Sequence, residues 1–271
     1  GSGKSKCSNK SVREYRHFLA GSDISVVKVS KPAAVNVSIE ATCVISGRRC
    51  YSKPVGGTMG TYGISANEIN KITGILNGTT NYILNEMFKK GKQFDEALAD
   101  AQAKGYAERN PAADIEGHDA CRKICILASL CFGRHVYPNQ VRTEGITKIT
   151  LSDVALARKL GYEIKLIGYV EDINGKLLCF VSPMAVPTSN PLARVDDVFN
   201  GVLINANMVG EVMFYGPGAG KLPTASAVVA DITDAVLNMA CGCRQRIPGF
   251  REGALFTKVL KKDEMVSRYY L

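Results

Sequence analysis

Two apolar runs, residues 164–171 and 176–182, flank the tetrapeptide Asp172-Ile173-Asn174-Gly175. Asn-Gly accepts the left-handed backbone that a tight two-residue turn requires, so the runs are predicted to pair as an antiparallel hairpin. A second pair of runs, residues 202–207 and 211–215, is joined by Met208-Val209-Gly210 and predicts another antiparallel pairing. Strand pairs of this kind, interspersed with helical segments, build an α+β domain: a mixed or antiparallel sheet with helices on one face.

The rest of the chain supplies those helices. Residues 67–76 read as a strand with Ile69, Ile72 and Ile75 apolar, ending in Asn77-Gly78-Thr79-Thr80-Asn81. The polar residues of that turn can cap a helix over residues 82–90. A second helix is predicted over residues 94–104, acidic at its start and closed by a lysine, as the helix dipole prefers. A further helix carries Asp119 and runs to about Leu130, with Gly133 ending it, and a short one covers residues 152–160. Upstream, residues 23–30 (strand), 32–46 (helix closed by Gly47) and the start of a strand at Arg48 form a strand–helix–strand unit, the building block of a parallel sheet. Glycine-rich loops occupy residues 54–63 and 216–220, and small and branched residues over 224–240 predict a closely packed helix.

The densest chemistry lies in residues 105–128, GYAERNPAADIEGHDACRKICILA. Asp119 and Lys123 are four residues apart, which puts a carboxylate and an amine on one helical face. Most such pairs are solvated surface pairs. This one is followed at once by Ile124-Cys125-Ile126-Leu127-Ala128, so it heads a helix about to be buried. Glu108 precedes the helix, so three ionisable groups can converge on one small polar ligand. Arg122 is expected to face outward, and His118 reads as a helix-start residue.

Composition excludes several alternatives. The chain has 271 residues, 46% hydrophobic and 22% charged, enough for one large domain or two small ones. No stretch approaches the ~18–20 apolar residues of a membrane span, and residues 1–17 lack the apolar core of a secretory signal. The net charge of +9 is concentrated near the two ends, without the aromatic interleaving of an RNA-binding sheet or any finger spacing. Nucleic acid is not an expected partner. Nine cysteines are an odd number in a chain too large to need disulfide staples. Cys121, Cys125 and Cys131 read as small core residues, and Cys241-Gly242-Cys243 is too tight for a zinc knuckle without a second pair. Reduced thiols in a cytoplasmic protein are the expectation.

Three segments, GILNGTTNYIL (74–84), residues 105–128 and GPGAGKLPTASAVV (216–229), closely resemble homoserine dehydrogenase. The resemblance covers residues 64–240 well and 23–63 loosely. It implies an NAD- or NADP-dependent oxidoreductase of threonine and methionine biosynthesis, interconverting L-homoserine and L-aspartate 4-semialdehyde. It also implies an α/β, Rossmann-like nucleotide-binding domain (residues 1–63, abridged) and an α+β substrate-binding, catalytic and dimerisation domain (64–215). Residues 216–240 would return to the nucleotide domain, and 241–271 would form a tail. By motif matching, Lys123 would be the general acid/base for the substrate hydroxyl, a role that burial helps by disfavouring the charged form. Asp119 and Glu108 would hold the substrate ammonium or its bridging water. Gly105, Thr79 and Asp114 would line the same pocket, although Thr79 could equally be a helix cap. Gly218, Gly220, Thr224 and Lys53 would reach the cofactor, with turn geometry and a solvated lysine as the competing readings. Backbone carbonyls of Val55, Gly57 and Met59 would bind a monovalent cation, Na+ or K+. A homodimer or higher homo-oligomer is implied.

Departures from the family pattern keep a second reading open. Only Gly1-Ser2-Gly3 could be a remnant of the glycine finger, and Asn110 stands where the family tends to have Asp. Residues 267–271 read as the first strand of an absent ACT domain. A non-catalytic relative, keeping pocket and dimer sheet without tight dinucleotide binding, is therefore the alternative.

Overall fold

A short strand, β1 (Ile69–Ile75), is paired on both sides and organises the sheet. The computed structural model describes residues 67–132 and 135–218 together with isolated positions between 222 and 264. The elements predicted upstream of residue 67, the Cys241/Cys243 pair and the strand predicted near 267 lie outside the described residues.

After β1 the chain forms α1 (Gly78–Lys90), α2 (Phe94–Ala103), the single turn α3 (Ala112–Ile115) and α4 (His118–Phe132). β2 (Arg142–Thr143) and α5 (Leu151–Lys159) lead to four strands: β3 (Tyr162–Ile173), β4 (Lys176–Pro187), β5 (Phe199–Ala206) and β6 (Gly210–Pro217). The sheet order is β2-β4-β3-β1-β5-β6. All pairings are antiparallel except β2 with β4, so the sheet is mixed, as the α+β reading expects.

The predicted hairpin is β3–β4, in unbroken register from Tyr162↔Pro187 to Ile173↔Lys176. Its turn shrinks to Asn174 and Gly175, with φ of 53° and 81°, the primed geometry whose twist matches that of the strands. Asp172 Oδ1 accepts from Gly175 N at 2.6 Å and closes it. β5 and β6 pair as predicted, but β5 begins earlier and ends one residue sooner while β6 extends past both predicted bounds, because the ladder runs from Phe199↔Pro217 to Ala206↔Gly210.

The helix predicted over 82–90 begins instead at Gly78. The cause is Asn77, whose side chain accepts from Thr80 N at 2.9 Å. The polar pentapeptide is thus a cap plus the helix's first turn, not a turn preceding the helix. The described positions among residues 222–232 are helical, in line with the helix predicted there.

The main core lies on the helical face of the sheet. Ile72, Leu76, Leu166, Val170, Val202 and Ile204 meet Ile83, Met87, Ile124 and Leu127, all buried. A Cβ at Gly168 would lie 2.9 Å from Leu76 Cδ1 and 3.3 Å from Ile124 Cβ, so glycine lets α4 approach β3 closely. The opposite face holds a smaller cluster of Ile75, Ile167, Val186, Leu192, Val195 and Leu203. That face is more open: Tyr215 of β6 is half exposed.

Candidate active site

Just past β1, Leu76 gives way to Asn77 and the chain turns into α1. The carbonyl of Leu76 points away from the ladder and accepts from Lys123 Nζ at 2.9 Å. Lys123 reaches it from the first turns of α4 and is 3% exposed. The same amine donates to Asp119 Oδ2 at 2.6 Å, completing the i,i+4 pair predicted from the spacing. Asp119 is partly open, its side chain 21% exposed. The pair thus has a buried amine at its inner end and a carboxylate near the rim. A buried lysine is tolerable only when its donors are met, and two acceptors meet two of them here.

Asn77 joins the two acids of the corner. Its Nδ2 donates to Asp119 Oδ2 and to Asp114 Oδ1, both at 2.8 Å, and both Asn77 and Asp114 are buried. Thr79 is not the cap, since Asn77 takes that role. Its hydroxyl donates to Tyr106 O at 2.7 Å and ties the loop after α2 to the start of α1. Gly105 gives that loop its bend at φ 73°, just past the C-terminus of α2. Tyr106 packs edge-on against the Tyr82 ring at 5.1 Å.

Asp119, Lys123 and Asp114 are therefore linked, directly or through Asn77, and Thr79, two residues on, ties the Gly105–Tyr106 loop to the start of α1. Glu108 is placed differently: it is exposed in the loop, with its backbone carbonyl accepting from Gln102 Nε2 at 3.2 Å. His118 is exposed and bonded to Glu116, and Arg122 faces outward, both as predicted. Asn110 Oδ1 accepts from Ala112 N at 3.3 Å and starts α3. Cys121, Cys125 and Cys179 are buried free thiols, and burial pushes the Cys179 thiol up.

Gly218 follows β6 and lies against Asn200 of β5. A Cβ there would lie 2.5 Å from the Asn200 carboxamide, so this glycine is required by packing. Asn200 is 1% exposed, and neither its Oδ1 nor its Nδ2 has a hydrogen-bond partner among the described residues. It stands one residue before Gly201, the partner of Ile75, and so flanks the end of β1 where Leu76 receives Lys123. Lys53, Val55, Gly57, Met59, Gly220 and Thr224 lie outside the described residues. Among the described residues, no group of His, Cys, Asp and Glu is arranged to hold a metal ion, and no helix is long and apolar enough to cross a membrane.

Three polar residues are buried more deeply than their sequence suggests. Asn77 and Asn200 look like turn and strand-edge residues, and Lys165 interrupts the apolar run of β3 as an ordinary outward lysine would. Lys165 is 1% exposed and donates to Val195 O at 2.7 Å and Asn81 Oδ1 at 3.2 Å. Burial pushes its amine below the usual lysine range, against the pull of Glu163. Asn81 Nδ2 in turn donates to Val195 O and Asp197 O, so the second asparagine of the NGTTN pentapeptide fixes the 195–197 segment beside α1. The one available signal was the pair of asparagines at i and i+4, Asn77 and Asn81.

The chain has relatives among known proteins. Residues 54–233 match the family model described as homoserine dehydrogenase. A homoserine dehydrogenase of Neisseria gonorrhoeae is 45% identical over 212 residues, covering 77% of this chain and 49% of that protein. One from Mycobacterium leprae is 42% identical over 232 residues, 84% of this chain and 51% of that protein. The chain thus spans about half the length of the curated relatives it matches. Among solved structures, a homoserine dehydrogenase from Thiobacillus denitrificans superposes with a TM-score of 0.67 at 36% identity, over 84% of this chain and 48% of that one. A hyperthermophilic archaeal homoserine dehydrogenase in complex with NADPH gives 0.55 at 31% identity, over 69% and 50%. The matched stretch contains the whole corner from Asn77 to Gly218, and on these grounds the chain belongs to the homoserine dehydrogenase family.

Proposed function

We propose that this chain carries the substrate and catalytic part of an NAD- or NADP-dependent homoserine dehydrogenase, interconverting L-homoserine and L-aspartate 4-semialdehyde. The observation that carries the reading is the buried Lys123 amine, held between Leu76 O and Asp119 Oδ2. A neutral amine has two N–H donors and one lone pair. With both donors engaged, the lone pair is the position left to take the proton of a substrate hydroxyl. In the reverse direction the ammonium keeps the same two acceptors and returns its third proton to the aldehyde oxygen. The two acceptors are satisfied in either protonation state, which suits a group that must gain and lose a proton in turnover.

Asp119 accepts from the Lys123 amine and, at the rim, is placed to meet the α-ammonium of the amino-acid substrate. Glu108, exposed on the loop that Thr79 ties to α1, would swing to the same ammonium. Gly105, Thr79 and Asp114 shape the wall. When bound, the nicotinamide accepts or supplies the hydride at the substrate's carbinol carbon. The described residues fit such a group. Asn200 offers a buried carboxamide without a partner among them, beside a glycine that leaves the backbone bare. Gly218, Gly220, Thr224 and Lys53 are proposed for the cofactor, and the carbonyls of Val55, Gly57 and Met59 for a monovalent cation. The proposal includes the division at residues 63/64, 215/216 and 240/241, a homodimer built on the more open sheet face, and a cytoplasmic setting.

Two measurements test the reading. Titration of NADPH with the protein, followed by nicotinamide fluorescence, is expected to saturate. A steady-state assay with L-homoserine and NAD or NADP is then expected to show turnover. Absence of a saturable signal would favour a relative without catalytic function, and saturation without turnover would remove homoserine as the substrate.

A further inference from the structure

We propose that Asn77 is a positioning residue that keeps Asp119 ionised and aimed at Lys123. The inference rests on the function proposed above, but its physical core is independent of it. Every hydrogen-bonding position of the Asn77 carboxamide is used. Oδ1 accepts from Thr80 N at 2.9 Å and Thr80 Oγ1 at 3.0 Å, and Nδ2 donates to Asp114 Oδ1 and Asp119 Oδ2, each at 2.8 Å. Capping α1 needs only the oxygen; serine or aspartate would serve as well. The amide NH2 is surplus to the cap, and both its hydrogens go to carboxylates.

Those carboxylates come from different elements, Asp114 from α3 and Asp119 from α4. Sharing one nitrogen brings their oxygens close together, and Asp114 is buried. Two carboxylates facing one site disfavour each other's charge. A donor between them opposes that. It matters on the Asp119 side because the oxygen that accepts from Asn77, Oδ2, also accepts from Lys123 Nζ at 2.6 Å. A protonated Asp119 would lose the charge that stabilises the Lys123 ammonium and attracts a substrate ammonium. Among the charged groups that bear on Asp119 are Lys123 from its own helix and Asp114 from α3, with Asn77 standing between the two acids.

The test uses three variants of the chain. Asn77→Ser and Asn77→Asp both keep a capping oxygen and remove the double donor; Asp114→Asn removes the like charge and leaves the cap untouched. In the ligand-free protein, carboxylate 13C NMR follows the titration of Asp119. Its midpoint is expected to rise in Asn77→Ser, rise further in Asn77→Asp, where a third carboxylate is added, and fall in Asp114→Asn. Under turnover, kcat of Asn77→Ser is expected to drop about 100-fold, the scale of a misplaced reacting group. Its acid limb is expected to move to higher pH while the melting temperature stays near that of the parent. An unmoved Asp119 midpoint in all three variants overturns the positioning role, whether or not the parent turns over homoserine. A moved midpoint in a protein that never turns over homoserine upholds it and counts against the proposed function alone.

Discussion

The start and the middle of α4 each send side chains into the interior and are held there by opposite means. Its first turns place Lys123 inside the protein through hydrogen bonds to Asp119 and Leu76 O. Its middle places Ile124 and Leu127, both 0% exposed, against Leu76 and the bare backbone of Gly168. The apolar half gains by leaving water. The polar half gains little net, because desolvating an ammonium and a carboxylate offsets their attraction. Stability therefore resides in the middle of the helix and chemistry at its start, and substitutions should separate the two.

The largest effect is expected at the polar end. Lys123→Met fills the volume of the lysine without its amine. Turnover should fall by at least the ~10²–10⁴-fold attributed to a positioned acid/base, while the far-UV circular dichroism stays that of the parent. Turnover within tenfold of the parent would take Lys123 out of its role. At the apolar end the expectation reverses. Leu127→Ala should cost roughly 2–5 kcal/mol in denaturant unfolding, with kcat of the folded fraction unchanged. A loss of kcat without loss of stability would show that the two stretches are not separable.

A third substitution sharpens the contrast with a carboxylate held at the surface. Asp153 of α5 accepts from Thr150 N at 2.8 Å and Thr150 Oγ1 at 2.6 Å, and these hydrogen bonds hold its carboxyl below the usual aspartate range. A depressed folded-state pKa contributes stability above the unfolded value, lost as pH falls through the folded one. Asp153→Asn should thus cost no more than roughly 0.3–1 kcal/mol at neutral pH, the scale of a solvent-screened carboxylate in a helix's first turn, and nothing in acid, where the parent carboxyl is already protonated. A pH-independent difference between the two would mean that the cap acts through shape and not through charge.

Much of this architecture could be read in the chain itself. Asn174-Gly175 specifies the β3–β4 turn because few other pairs accept two left-handed residues in succession. The Asp119–Lys123 pair follows from helical geometry, and its burial from the apolar run behind it. The start of α1 was less legible: the NGTTN pentapeptide suits a free turn or a cap, and only the Asn77–Thr80 hydrogen bond decides between them. Lys165 could not be placed inward from β3 alone, since its burial depends on Val195 and Asn81, distant in sequence.

What the sequence determined by itself is whatever local backbone preference and short-range periodicity control: the strands, the tight turns, and which helix bears the acid and the base. The tertiary structure alone decided which groups share a hydrogen-bonding partner. A carboxamide at the end of β1 meets acids from α3 and α4, and the Leu76 carbonyl meets an amine 47 residues further along. Such contacts have no signature in sequence spacing because they are fixed by how the helices pack on the sheet, which depends on the whole core at once.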